Sequence, residues 1–435
     1  MWLIGIGMFF DGFDIYVAAV VLGAMLKSGF STMGQNAQFV SVTFIGMMLG
    51  SFLTGFLGDR YGRRFTYQAN LAIFGLASVA AAFAPSIGVL ILLRFIMGIG
   101  LGAENVVGYS TMTEFVPPKV RGKWLGGMSV FVVSGLPITA LVGTLIIPSF
   151  GWRVMFVLGG LGALVVWYLR KALPESPRWL DSVGKPKEAE AILQSIESEV
   201  ALQHGPLPSP APAPTARPSR NVGSLLSRML LPRMIVGAVT LIVVNTLIFG
   251  FVTWLPAFFV QEGLSIARSF GYSLVISIGA PIGSAIGAFT SDSWGRKPTI
   301  VGASLLTILV GGFYPFVKDP VLLPIVGFLL MIPVYVLVTV LFAVYIPELF
   351  PTEVRLRASG ICNTFGRGAT ILTPFLVVAL FRHYRVGGVL SFLIALLIVQ
   401  IVVVLLFGVE PKNRRLEEIH SELTASPNLV SAIAE

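Results

Sequence analysis

Apolar residues in this chain come in long unbroken runs, without the two-residue alternation of a half-buried strand or the one-sided stripe of a soluble helix. Twelve runs of roughly 17 to 26 residues centre near residues 14, 48, 76, 98, 136, 161, 246, 280, 307, 334, 370 and 397, each long enough for a helix to cross about 30 Å of hydrocarbon. Only a helix satisfies its own backbone in lipid, so the pattern predicts an all-α membrane protein of twelve transmembrane helices. Composition agrees: with 55% hydrophobic and 12% charged residues and a mean hydropathy of +0.86, there is too little polar surface to cover a soluble globule.

The polar positions divide these runs. The longest hydrophilic stretch, about 173–231, separates six helices from six, which predicts an N-terminal six-helix bundle (1–172), a linker (173–231), a second six-helix bundle (232–409) and a tail (410–435). Within the linker, "GKPKEAEAILQSIESEVALQ" has helical spacing, and "GPLPSPAPAPTARPS" at 205–219 reads as an extended or disordered proline-rich tract. Of the 30 Lys and Arg, 22 fall on the face that carries this linker and six on the other, leaving Arg94 and Arg367 inside apolar runs. By the bias of basic residues toward the cytoplasm, both termini are expected inside. No basic segment precedes the first run and Met1 falls at or inside its expected start, the pattern expected of a chain that lacks an N-terminal tail or begins at a misassigned methionine. Asp11 and Asp14 argue against a cleavable signal peptide.

Charge excludes several function classes. The net charge of +9 sits in short clusters between apolar runs, as lipid contact and topology require, so no nucleic-acid partner is implied. One cysteine, Cys362, and three scattered histidines provide no metal site or disulfide, and no cofactor is expected. There is neither a phosphate-binding loop nor a paired nucleophile and base, so the chain does not read as an enzyme.

Two short motifs recur at nearly one offset. "GDRYGRR" at 58–64 returns as "SDSWGRK" at 291–297, and "EFVPPKVR" at 114–121 returns as "ELFPTEVR" at 348–355, displaced by 233 and 234 residues. An even number of helices separates the copies, so the halves are parallel repeats, an arrangement that suggests two bundles rocking about a midplane site.

Charged residues inside the runs are the candidates for that site. An ionised Asp at mid-bilayer costs about 2.5–3.5 kcal/mol, so Asp11 and Asp14, three apart on one helix, should face a polar interior. Asp14 lies 13 residues before Lys27, about 20 Å along the axis, and Arg94 lies about 10 Å from the outer end of its helix, near enough in depth for an ion pair. Such a pair could be purely structural, or it could release on protonation and bias a two-bundle equilibrium. Glu104, ten residues past Arg94, could relay protons, touch substrate or make a structural bond. Arg367, in "NTFGRGATILTP", lies about 15 Å deep and suits either a carboxylate ligand or an internal ion pair. Asn245, Trp254, Tyr335 and Tyr345 could add a hydrogen bond or an aromatic wall.

Taken together these motifs resemble the major facilitator superfamily over essentially the whole chain. The signature is matched at Gly58, Asp59, Arg60, Gly62, Arg63 and Arg64, and its weaker copy at Asp292, Gly295, Arg296 and Lys297; "RFIMGIGLG" at 94–102 and "PESPRWL" at 174–180 add to it. The helix 7 and helix 10 patterns of sugar porters are absent from "LIVVNTLIFGFVTWLP" and "MIPVYVLVTVLFAVYIPELFP". By contrast, "DGFD" is similar to the metabolite and aromatic-acid proton symporters, and "GLGAENVVGYSTMTEF" to nicotinate-type carriers.

The resemblance implies proton-coupled uptake of a small organic anion by a monomer in the cell membrane, a bacterial inner membrane, with Asp14 and Arg94 as the coupling pair. It also implies that Asp59, Arg63, Glu114, Arg121, Asp292, Arg296, Glu348 and Arg355 form a charged gate on the cytoplasmic side. A sugar:proton symporter, a proton-driven exporter and a non-transporting membrane sensor remain the alternatives.

Overall fold

In the computed structural model of the protein, residues 2–205, 230–251, 266–352 and 354–412 are described. Among them, twelve helices are long and apolar enough to cross a membrane: span 1 Leu3–Lys27, span 2 Gly34–Tyr61, span 3 Arg63–Ala82, span 4 Ile87–Phe115, span 5 Arg121–Gly143, span 6 Arg153–Ala172, span 7 Leu231–Gly250, span 8 Gly271–Ser293, span 9 Arg296–Phe316, span 10 Leu322–Glu348, span 11 Arg355–Phe381 and span 12 His383–Phe407. Several exceed the apolar runs that announce them, because polar residues at their ends stay helical where neighbouring loops cover them. Span 4, for example, runs 29 residues and carries the buried Glu114 in its last turn. The linker contains the helices Pro177–Ser182 and Pro186–His204. Most of the proline-rich tract and the tail beyond Lys412 lie outside the described residues.

Local chemistry sets the helix ends. Thr32 caps span 2 through a reciprocal box with Gln35, and Ser86 caps span 4 by accepting from the Val89 N–H. Spans 2 and 3 are separated by Gly62 alone, and spans 8 and 9 turn at Gly295; their φ values of 97° and 102° are readily available only to glycine. Spans 11 and 12 are helical on both sides of a break at Arg385, where φ is 56°. Span 10 relaxes into π-helical turns over Thr339–Tyr345, downstream of Pro333.

With no hydrophobic drive between helices in lipid, small residues bring backbones together. Gly50 and Gly102 seat spans 2 and 4 on each other, Gly50 against Ile99 and Gly102 against the Met47 backbone, and the Ser51 hydroxyl donates to the Gly102 carbonyl at 2.8 Å. The second bundle repeats the device: Gly279 lies against Phe328 and Gly283 against Ile332, joining spans 8 and 10. Gly46 and Gly50 therefore recur as Gly279 and Gly283, 233 residues on, the same displacement as the signature loops. The bundles meet where spans 2 and 11 approach, Gly55 against Leu356 and Arg357 and Gly360 against the Ser51 carbonyl, and where span 5 packs on span 8 through Gly126 and Ala288.

Gly102→Val should overpack the contact between spans 2 and 4, a change that typically costs about 1–3 kcal/mol. Thermal unfolding in detergent should begin several degrees lower than in wild type. Gly23→Ala, at a position where an added carbon meets nothing within 4 Å, should leave it unchanged.

Candidate functional site

Five fully or almost fully buried charges gather inside the N-terminal bundle. Asp14 on span 1 and Arg94 on span 4 form an ion pair, Nη1 to Oδ2 2.6 Å, at 0% and 1% side-chain exposure. Span 2 supplies Thr43, whose hydroxyl accepts from the Arg94 Nε at 3.2 Å, and Phe39, whose ring lies 4.8 Å from the guanidinium carbon. Phe156 of span 6 adds a second ring at 6.0 Å. Arg94 is thus held by hydrogen bonds and π-faces together. Asp14 retains one free oxygen, Oδ1, which has no hydrogen-bond partner.

Nearer the linker face, Glu104 of span 4 pairs with Arg170 at the end of span 6. Arg170 also donates to the Leu3 and Ile4 carbonyls at 3.0 and 2.7 Å, so one side chain ties span 6 to span 4 and to the start of span 1. Asp11 is enclosed beside them. It lies within electrostatic range of Glu104, Arg170, Asp14 and Arg367, and neither of its carboxylate oxygens has a hydrogen-bond partner.

Arg367 faces this group from span 11 of the other bundle. It is 5% exposed, its guanidinium forms no ion pair with a described residue, and its Nε is buried without an acceptor. The Phe342 ring lies 6.0 Å from its guanidinium carbon, and Tyr16 and Asp11 of span 1 are within electrostatic range. The Tyr16 hydroxyl lies 3.3 Å from that of Tyr335 on span 10, a polar bridge between the bundles. Asn245 packs against Gly366, next to Arg367 in the chain; its Nδ2 donates to the Leu241 carbonyl and its Oδ1 is unmatched. Trp254 lies outside the described residues. Tyr345 does not join this group: its hydroxyl accepts from the Val409 N–H at 3.1 Å, near the end of span 12, because it stands ten residues, about 15 Å, past Tyr335 toward the linker face.

The repeated loops meet on the linker face in two reciprocal sets. Arg63 donates to Glu114 through Nε (3.2 Å) and Nη2 (2.8 Å), and Arg355 of the second bundle donates to the same carboxylate at 2.7 Å. In the mirror set Arg296 donates to Glu348 twice at 2.9 Å, and Arg121 of the first bundle reaches it at 3.0 Å. Asp59 accepts from the Arg357 N–H at the start of span 11 (3.1 Å). Asp292 accepts from the Gly122 and Lys123 N–H groups at the start of span 5, both at 2.9 Å. These carboxylates cap the positive ends of helices in the opposite bundle.

Sequence reasoning missed the supports of this arrangement. Glu175 accepts from the Arg63 and Arg64 N–H groups, and Ser176 donates to Glu114. Burial pushes the Glu175 carboxyl above its usual range, against the opposing pull of those N–H donors. Glu410 repeats the cap on Arg296 and Lys297 at 3.0 and 2.8 Å. The signal was present, since Glu410 follows Glu175 by 235 residues, almost the repeat offset. Arg170 was counted among linker-face basics. Only the short helical turn Arg170–Ala172, which lengthens span 6, turns it inward. Among the described residues no group of three or more His, Cys, Asp or Glu is gathered to hold a metal ion.

Comparison with known proteins places this architecture. The family profile described as "Sugar (and other) transporter" matches residues 2–423. The inner membrane metabolite transport protein YdjE of Escherichia coli is 38% identical over 426 residues, covering 96% of this chain and 94% of that protein. The niacin transporter NiaP of Acinetobacter baylyi is 30% identical over 421 residues, covering 96% and 95%. A solved structure of the proton:xylose symporter XylE, bound to 6-bromo-6-deoxy-D-glucose, superposes with a TM-score of 0.80 at 20% identity, covering 97% of this chain and 98% of that one. With two parallel six-span bundles, paired signature loops and relatives matched along nearly their whole length, the chain belongs to the sugar (and other) transporter family of the major facilitator superfamily, a multi-pass membrane transporter.

Proposed function

We propose that the protein is a proton-coupled symporter that brings a small organic acid, an aromatic or nicotinate-like carboxylate, into the cell by alternating access. The observation that carries this reading is Arg367, a guanidinium at the meeting of the two bundles with no described carboxylate paired to it. A planar cation in a low-dielectric interior suits a carboxylate held by two parallel hydrogen bonds. Tyr335, Tyr16, Asn245 and Trp254 are the proposed wall around it. Similarity to a niacin transporter supports the substrate class, and similarity in fold to a proton:xylose symporter is compatible with proton coupling.

In this reading Asp14 is a proton acceptor and Arg94 its counter-charge, with Asp11 and Glu104 as further carboxylates on the same path. A proton on Asp14 weakens its hold on Arg94, and the cost of an uncompensated buried charge biases the two-bundle equilibrium. The charged sets on the linker face act as the gate, closed when Glu114 holds Arg355 and Glu348 holds Arg121. In this reading the linker face and both termini are cytoplasmic, as the distribution of basic residues favours, and the protein is a monomer in a bacterial inner membrane.

Proteoliposomes with an acidic exterior should accumulate nicotinate or a benzoate-like acid, and accumulation should stop when the pH gradient is dissipated. Arg367→Ala removes a charged hydrogen-bonding partner worth about 1.5–3 kcal/mol, so the half-saturating concentration should rise about 10- to 100-fold. Asp14→Asn should abolish gradient-driven accumulation. Hexose uptake in place of acid uptake, or acid uptake indifferent to both substitutions, would overturn the reading.

The gate has its own test. Removing one partner of a buried pair typically costs about 3–5 kcal/mol, and a bias of that size moves a two-state ratio by more than tenfold. Cys362 is fully buried, so a cysteine placed at Thr364, whose hydroxyl donates across to the Met48 carbonyl at 3.4 Å, can report opening. Thiol labelling at Thr364→Cys from the linker face should accelerate at least about tenfold in Glu114→Gln or Glu348→Gln. Unchanged labelling in both would remove the gating role.

A further inference from the structure

Asp11 is the one carboxylate in the buried core group whose oxygens both lack a hydrogen-bond partner. Asp14 has Arg94, and Glu104 has Arg170, so those four charges cancel in pairs. Two buried charges remain, Asp11 on span 1 and Arg367 on span 11, within electrostatic range of each other and not joined in an ion pair. The groups facing Asp11 can be named from every side: Asp14 on its own helix, Glu104 and Tyr109 on span 4, Arg170 at the end of span 6, and Arg367 from the second bundle. Span 5 adds no titratable group there, since it lays the Val132 carbonyl and Gly135 against Gly12.

We propose that Asp11 is the counter-charge of Arg367 in the unloaded carrier, so that a substrate carboxylate can take Arg367 only as Asp11 takes a proton. The inference rests on the organic-acid reading above and extends it to a coupling rule. When Asp11 is ionised and no anion is bound, Asp11 and Arg367 cancel. With Asp11 protonated and a monocarboxylate on Arg367, the anion takes over that cancellation. Either half-loaded form, proton without anion or anion without proton, leaves one uncompensated charge between the bundles, which low dielectric makes expensive. The interior therefore crosses in two electrically balanced forms, empty or carrying one proton with one anion, and a carrier limited to those forms is a symporter. Between the two crossing forms the only net change is the O–H of Asp11; Asp14 takes a proton only in passage and is ionised on Arg94 in both forms, and the proton enters from one aqueous side and leaves to the other.

The test compares wild type with Asp11→Asn and Asp11→Glu in proteoliposomes, with nicotinate and benzoate as probes. Asn imitates the protonated acid permanently, so Asp11→Asn should still exchange labelled for unlabelled carboxylate across the membrane. It should lose net gradient-driven uptake, because the empty carrier keeps an unbalanced Arg367. In wild type, apparent affinity should fall about tenfold per pH unit on the alkaline side if one proton accompanies each anion; in Asp11→Asn it should be flat. Asp11→Glu should restore both net uptake and the pH dependence, which a role in packing alone would not predict.

Full net uptake by Asp11→Asn, loss of exchange along with net uptake, or Asp11→Glu behaving as Asn would each overturn the proposal. A wild type that carries neither acid would instead overturn the substrate reading beneath it.

Discussion

A charge placed among twelve apolar helices has to be answered by another charge or by several hydrogen-bond donors, and that requirement shapes this protein from its core to its loops. In water an ion pair contributes little because the solvent competes for both partners. Inside the bundle each member is held by its neighbour, and removing one leaves the other stranded. Arg94 has Asp14, a threonine hydroxyl and two aromatic rings; Arg170 has Glu104 and two backbone carbonyls. Such pairs stitch helices of one bundle into a rigid body. They fix spans 1, 2, 4 and 6 relative to one another and leave the contact between bundles as the place where motion is cheap.

That contact is of another kind. On the linker face each shared carboxylate belongs to one bundle and accepts from an arginine of its own half and an arginine of the other half. Rocking the bundles apart breaks only the crossing bonds. Glu114 keeps Arg63, and Glu348 keeps Arg296, so no carboxylate is left wholly unpaired when the face opens. The aspartates are built the same way, because Asp59 and Asp292 also pair with Arg63 and Arg296, four residues on across the glycine turn of their own half. Under the proposed gating, shared partners make the opening reversible at modest cost, which a set of exclusive pairs would not.

Much of this was legible in the sequence because duplication prints the same constraint twice. Gly62 and Gly295 stand out since a turn this short between antiparallel helices needs a positive φ, and Asp59 and Asp292 stand out since they precede those glycines at one spacing. Depth arithmetic sufficed to put Asp14 and Arg94 at one level, because helices rise by a fixed amount per residue and an apolar run leaves few places for a charge. Arg170 was illegible for the converse reason. Near the end of a span, one further helical turn decides whether an arginine faces lipid headgroups or the bundle, and that turn has no mark in the composition. Tyr345 does not reach the centre because it lies only three residues before Glu348, at the linker-face end of span 10, where its hydroxyl meets the Val409 N–H.

The same bookkeeping of charge explains why, among the described residues, one bundle holds paired acids and bases while the other contributes a single unmatched arginine to the centre. A transporter must enclose its cargo without trapping it, so the enclosing groups cannot all be satisfied by the protein itself. In the N-terminal bundle Asp14 with Arg94 and Glu104 with Arg170 each join helices of one bundle, so the angle between bundles does not set their separation. Arg367 stands on span 11, across the moving interface from Asp11, and the distance between them is set by the angle between bundles and not by the packing inside either one. A pair divided in this way has an interaction energy that depends on conformation, and only such an energy can couple the occupancy of a site to the side on which it opens. The internal ion pairs make the bundles stiff; the divided charges give that stiffness something to transmit.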